Sequence, residues 1–203
     1  MKFVFVRSLG MRYKYNTMNF GKKKDRIIVL HFKKPIENGL AGMISSRSFS
    51  HNIGIVVPQK SSEDLECDFA CLASSKEKDS FRVIMEEDIF YGIKRNNIMA
   101  RTILFHELGH YYYKHLENGL GDTDTYDSKR LDLASQGEVL PEELEADAFA
   151  TKYLGCEYVM TGLKMIISEI TQRYEDVAAD PENLKTAIEE LNRRIEFIAN
   201  SSK

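Results

Sequence analysis

Five residues near the middle of this 203-residue chain, His106-Glu107-Leu108-Gly109-His110, have the types and the spacing for hydrolysis at a metal ion. Residues four apart on an α-helix lie one above the other on the same face, so His106 and His110 can offer two imidazoles to one ion. Glu107 is rotated by about 100° from His106. Its carboxylate then stands beside the ion and not on it, placed to take a proton from a zinc-held water. A hydrolytic zinc site has three protein ligands and one position open to water. One zinc ion per chain is therefore the expected cofactor, and the third ligand must come from another element.

That ligand is offered 33 positions after His110 (143 minus 110), where Glu143-Leu144-Glu145-Ala146-Asp147 begins. Pro141 suits the first position of a helix, Glu142 and Glu143 favour the positive end of its dipole, and Gly155 suits its C-terminal cap. Glu143 and Asp147 share a face. Glu143 can bind the metal, and Asp147, one turn on, can accept a hydrogen bond from the ring N–H of a metal-bound histidine and so fix its tautomer. With Glu143 pointing inward, Glu142 and Glu145 point elsewhere as solvated charge; Glu145 is the reserve third ligand. Ala146, Ala148 and Ala150 let two helices come close.

The first motif has a helical setting of its own. Asn96 or Asn97 can cap a helix in which Ile98, Thr102, Phe105 and Leu108 form a half-buried face. Gly109 costs about 1 kcal/mol against Ala inside a helix, which argues that a strand or the second metal helix packs closely there.

Together, His-Glu-Leu-Gly-His-Tyr at 106–111 and Glu-Leu-Glu-Ala-Asp-Ala-Phe-Ala at 143–150 resemble the gluzincin zinc metallopeptidases. The short gap, the apolar lead-in and Phe149-Ala150 are most similar to the ImmA/IrrE metallopeptidases of bacteria and their mobile elements. The Glu-x-x-x-Asp pairing and the stretch from Ala150 to Gly155 also look like the HtpX-type and CAAX-type peptidases, which are usually membrane-embedded. The resemblance covers roughly residues 81 to 165. It implies His106, His110 and Glu143 as ligands and Glu107 as general base. For the ImmA/IrrE branch it implies cleavage of a partner protein, often a helix-turn-helix repressor. The chain departs from that branch in carrying Asp147 where Asn is frequent, and in lacking the Leu-Met-Pro segment that often follows.

The length allows one domain of ordinary size. A net charge of −3 with both signs interspersed argues against a nucleic-acid partner, which would want a basic face. No apolar run approaches the length that spans a membrane. The opening, Met1 to Arg7, is too quickly charged for a signal peptide and reads as a strand. Cys67, Cys71 and Cys156 form no disulfide framework, so the cytoplasm is the expected compartment. Cys67 and Cys71, four apart, can share a helical face but have no further His or Cys nearby to complete a second zinc site.

The fold class expected is α+β: a small, mostly antiparallel N-terminal sheet packed on a C-terminal helical part that contains the two metal-binding helices. It forms a single zincin-like domain over 1–203, strand-rich over 1–95 and helical over 96–203. Strand signals fall at Phe3 to Val6, Arg26 to Phe32, Ile53 to Val57 and Phe81 to Met85, separated by turn material. The resemblance implies that an edge strand near the metal receives an extended peptide. One of these strands is expected to serve, with Phe81 to Met85 lying just before the metal helix. Residues 118–138 read as a mobile acidic loop; Asp122, Asp124 and Asp127 fail the calcium-loop pattern, with Leu133 at the closing acidic position. A third helix is expected from Tyr158 to about Tyr174. A fourth begins at Asp180-Pro181, with Leu184, Ile188, Leu191, Ile195 and Ile198 in one stripe that packs on the domain or, alternatively, pairs two chains as a dimer.

The expected function is metal-dependent hydrolysis of peptide bonds in a protein or peptide substrate. The donor that steadies the tetrahedral intermediate stays open among His115, Tyr112, Tyr126 and Tyr153. His115 lies about 140° round the helix from His110, so it misses the metal and reads as a surface or helix-end residue. His31 and His51 have no partner pattern. A DNA-linked protease would carry a cysteine-rich zinc ribbon and a basic surface, and neither is present; a deformylase would need Cys67 or Cys71 as third ligand, and their surroundings do not match. The alternative of a different class is a catalytically inactive zinc-binding regulatory protein.

Overall fold

The computed structural model describes residues 16–20, 28–32, 40–57, 69–74, 81–115, 123–175 and 181–201. Within them the chain has an α+β arrangement and divides into two compact units, Met1–Tyr91 and Gly92–Lys203. No helix among the described residues is long and apolar enough to cross a membrane.

The first unit is built on a six-stranded sheet of β1 (Asn16–Phe20), β2 (Ile28–Phe32), β3 (Leu40–Ser46), β4 (Ile53–Val56), β5 (Ala70–Ser74) and β6 (Phe81–Met85), in the order β1-β2-β3-β4-β6-β5. All neighbours pair antiparallel except β4 and β6, which are parallel. The alternation that strands impose is clearest on β2, where Ile28, Leu30 and Phe32 are buried and Val29 and His31 only half so. Ile53 and Ile55 on β4, with Val83 and Met85 on β6, continue the apolar face. Phe90, on the short helix α1 (Glu87–Lys94), meets Phe32 edge to face at 5.7 Å between ring centroids.

Two expectations change here, and one is not reached. The segment Phe81–Met85 is a strand, but it is paired on both sides, with β4 and β5, so it offers no open edge to a peptide; β1 and β5 are outermost. Cys71 lies on strand β5, not on a helix, and so cannot form a helical Cys-x-x-x-Cys pair. The strand expected over 3–6 and Cys67 lie outside the described residues.

The second unit is helical: α2 (Ile98–Tyr112), α3 (Thr123–Ser135), α4 (Pro141–Leu154), α5 (Cys156–Glu175) and α6 (Pro181–Ser201). Asn97 caps α2, its side chain accepting from the Ala100 N–H at 3.0 Å. Pro141 opens α4, and Gly155, at φ 99°, ends it by donating its N–H to Thr151. At Gly109 a Cβ would stand 2.6 Å from Ala146 Cα and 2.8 Å from its carbonyl oxygen. The close neighbour that the glycine called for is thus the second motif's own helix. At α5 a Cβ on Gly162 would collide with Thr102 at 2.0 Å. The glycines let the α2 and α4 backbones meet directly, and let the Thr102 side chain of α2 sit against the α5 backbone.

The segment read as a mobile acidic loop contains the 13-residue helix α3. Its inward face falls at Tyr126, Arg130, Leu133 and Ala134, a helical spacing in which polar members stand where an apolar stripe would have been recognised. Arg130 donates to both oxygens of Glu190 on α6, at 3.0 and 2.8 Å. α6 packs on α3, α4 and α5.

Candidate metal centre

Helices α2 and α4, locked at Gly109 and Ala146, bring the two motifs together. His106 Nε2 lies 3.0 Å from His110 Nε2 and 3.2 Å from Glu143 Oε2, and Glu143 Oε1 lies 3.5 Å from His110 Nε2. Among the described residues these three side chains are the group whose donor atoms converge tightly enough to hold a metal ion. The site is deep, with the Glu143 side chain 4% exposed and each histidine 12%.

The donor set fits a tetrahedral ion. Zinc with ligand atoms at 2.0–2.1 Å and tetrahedral angles separates them by about 3.3 Å; His106 Nε2 stands near that distance from His110 Nε2 and from Glu143 Oε2, while the other carboxylate oxygen, Oε1, is the one that approaches His110. Protonation supports the same conclusion. His106 Nδ1 is 2.9 Å from Asp147 Oδ1. Facing an ionised carboxylate it must be the protonated nitrogen, which leaves the Nε2 lone pair of the neutral ring aimed at Glu143 and His110. Lone pair and carboxylate repel unless a cation, either a proton or a metal, lies between them.

Arg194, on α6, builds the wall behind this triangle. Its Nε and Nη2 donate to the two oxygens of Asp147 at 2.7 and 2.8 Å, and its Nη1 donates to Glu143 Oε2 at 2.7 Å. Nη2 also lies 3.1 Å from His106 Nδ1, two donors side by side on the same Asp147 oxygen. Tyr126 donates its hydroxyl to Glu143 Oε1. Both oxygens of Glu143 are thus held. Burial alone would raise its carboxyl, but Arg194, His106 and Arg130 outweigh burial and hold it well below the carboxylate range. Asp147 is likewise pushed up by burial and brought down, to about 2, by Arg194 and His106. Burial and Arg194 pull His106 down, yet Glu143 and Asp147 prevail and raise it to about 9 in the metal-free protein. Glu143, Asp147 and Glu190 face Arg130 and Arg194. Three carboxylates against two guanidiniums leave one negative charge for a bound cation to balance.

Each residue expected at the site can now be placed. His106, His110 and Glu143 form the triangle, and Asp147 holds His106 from behind. Glu107 is half-buried on α2. The reserve ligand Glu145 is outside the triangle and accepts from His115 Nε2 at 2.9 Å. His115 also misses the triangle, but it is not a surface residue. The helix ends at Tyr112, Lys114 turns through φ 62°, and His115 folds back, 4% exposed, with its Nδ1 2.8 Å from His110 Nδ1. Burial, the largest influence on it, lowers its pKa despite Glu145. Tyr112 packs on Phe149, and Tyr153 on Phe105 and Phe149, whereas Tyr126 reaches Glu143.

The helix that brings Arg194, Pro181–Ser201, was expected from sequence, but Arg194 itself was missed. The signal existed: Arg194 follows Leu191 by three and precedes Ile198 by four, which puts a charge on the helix's apolar stripe. A buried charge needs partners, and only the fold shows which. Comparison with protein-family models, with curated proteins and with solved structures finds no match.

Proposed function

We propose that this chain is a zinc-dependent endopeptidase of the gluzincin kind, most similar to the ImmA/IrrE metallopeptidases, acting on a protein or peptide substrate. The observation that carries this reading is the buried triangle of His106, His110 and Glu143, whose donor atoms converge tightly enough to hold a metal ion, with Glu107 one residue from the first ligand. His106, His110 and Glu143 would hold the zinc, which would supply a Lewis acid able to lower the pKa of water to about 7 and to polarise a peptide carbonyl. Glu107 takes the proton from the attacking water and returns it to the leaving nitrogen. Tyr126, whose single hydroxyl proton is given to Glu143 Oε1 in the resting site, turns from that oxygen to donate to the oxyanion as it forms. Asp147 and Arg194 keep His106 and Glu143 oriented throughout. The substrate proposed on the resemblance is a separately encoded regulatory protein such as a repressor, with no direct contact to nucleic acid.

Zinc per chain and cleavage of an unfolded test protein decide the matter. Near one zinc in the wild type, a large loss in Glu143→Ala, and in Glu107→Gln full zinc without cleavage are the expected results. No zinc after refeeding sinks the metal reading. Zinc with no cleavage by the wild type, or equal cleavage by Glu107→Gln, leaves a non-catalytic zinc protein instead.

A further inference from the structure

The metal reading, on which this inference rests, explains one ligand's tautomer through Asp147 but gives the Nδ1 of His110 no carboxylate to set its own. Its Nδ1 faces another imidazole, that of His115, at 2.8 Å. Two neutral ring nitrogens at that distance share one proton, and either ring can supply it. If His115 supplies it, His110 carries its own proton on Nε2, pointing into the triangle, and cannot bind a metal.

The third group in the row breaks the tie. Glu145 Oε2 lies 2.9 Å from His115 Nε2, and a carboxylate only accepts. The single proton of a neutral His115 therefore sits on Nε2. His115 Nδ1 becomes the acceptor, His110 Nδ1–H the donor, and the His110 Nε2 lone pair turns toward His106 and Glu143. We infer that His115 and Glu145 are positioning residues that set the metal-binding tautomer of His110 through an intervening imidazole, as Asp147 sets that of His106 directly. Glu145, the carboxylate that sequence suggested as a reserve ligand, acts on the metal from two residues away. The backbone is shaped for this arrangement: the turn at Lys114, φ 62°, and the bond from the His115 N–H to the His110 carbonyl at 3.1 Å fold the ring back under its partner.

The polarity of the row can be reversed at its exposed end. The Glu145 side chain is 56% exposed, so its replacement leaves the core alone. In Glu145→Lys an ammonium only donates; it presses a proton donor on His115 Nε2 and reverses every bond up to the triangle. Glu145→Gln keeps an oxygen that can accept. Glu142→Lys makes the same change of charge three residues away on α4; Glu142 pairs with Lys129 and acts on His115 only through space, as the last of the influences on it, so this variant measures the charge change without reversing a hydrogen bond of the row. Zinc affinity, measured by competition with a chelator, is expected to fall 10–100-fold in Glu145→Lys, the usual range for loss of a ligand's supporting partner. It should stay within about threefold of wild type in Glu145→Gln, and the loss in Glu142→Lys should be much smaller than in Glu145→Lys. Imidazole nitrogen spectra of the zinc-loaded wild type should show His115 protonated on Nε2 alone.

Equal affinity in Glu145→Lys and Glu142→Lys, or a His115 protonated on Nδ1, overturns the inference while leaving the zinc site standing. A wild type that takes up no zinc brings down the metal reading and the inference with it.

Discussion

Arg194 grips Asp147 with two parallel hydrogen bonds, Nε to Oδ2 at 2.7 Å and Nη2 to Oδ1 at 2.8 Å, in a setting where the first side chain is 5% exposed and the second 1%. The same guanidinium reaches Glu143 Oε2. One cation thus neutralises both the proposed third ligand and the carboxylate that orients the first. Removing it leaves two buried charges facing each other. Arg194→Met is expected to destabilise the metal-free protein by about 3–5 kcal/mol, the cost of breaking a buried pair from one side. Saturating zinc should recover part of the loss by supplying positive charge at the same carboxylate. Urea unfolding of both proteins, with and without zinc, measures it; a loss below about 1 kcal/mol would show that Arg194 is not the group compensating these carboxylates.

Tyr126 separates two roles that one hydrogen bond can play. Its hydroxyl donates to Glu143 Oε1, and burial with the neighbouring Glu143 charge raises its pKa, so it stays a proton donor across the physiological range. As the oxyanion donor, Tyr126→Phe should lower kcat by about 10²–10³-fold with KM and zinc content nearly unchanged. As a structural contact alone, it should cost stability by about 1–3 kcal/mol and leave turnover intact. Steady-state kinetics beside thermal unfolding of the same variant distinguishes the two.

What could be read in the sequence follows the physics of each signal. The metal helices and their caps were legible because two histidines at i and i+4, an Asn cap, a Pro at the first position and a terminal Gly are all local features. Gly109 went further and announced a tertiary contact, since a glycine inside a helix needs a reason and Ala146 supplies it. α3 was hidden because its inward face is made of Tyr126 and Arg130 as well as Leu133 and Ala134, and its partners lie 17 residues on, at Glu143, and 60 residues on, at Glu190. His115 was misjudged for a related reason. Its position was projected along a continuing helix, whereas the chain leaves the helix at Tyr113 and turns at Lys114. β3 and β5 escaped notice because four of seven and four of five of their residues are Gly, Ser, Ala or Cys, and β1 because two of its five are Asn; the preference of these residues for strands is weak, and pairing rather than propensity holds them.

The glycine contact carries its own prediction. In Gly109→Ala the new methyl carbon meets backbone atoms of Ala146 at 2.6 and 2.8 Å, and backbone cannot swing aside as a side chain does. The gain of about 1 kcal/mol in helix propensity should be outweighed by overpacking of about 1–3 kcal/mol, giving a net loss of stability. Because His110 and Glu143 stand on the two helices being forced apart, zinc affinity should fall as well. A variant that is stabilised, as an unhindered glycine-to-alanine change in a helix would be, contradicts the close crossing.

The last prediction concerns the proton that the metal must replace. In the metal-free protein His106 has its pKa raised to about 9, because Glu143 and Asp147 together overcome the opposing effects of burial and Arg194. A raised pKa means that the folded state holds the proton more tightly than the unfolded chain, whose histidine titrates near 6.5. The stabilisation is therefore complete below pH 6.5 and is lost as pH rises toward 9, at about 1.4 kcal/mol per unit. Zinc binding reverses the bookkeeping, since the metal needs the neutral ring. At pH 7 each ion bound should release close to one proton from this histidine, and apparent affinity should rise about tenfold per pH unit until it levels near pH 9. Calorimetric titrations of zinc in two buffers of different ionisation enthalpy count the proton directly. A count near zero at pH 7 would mean that His106 is already neutral in the metal-free site, and that a different cation balances the carboxylates around it.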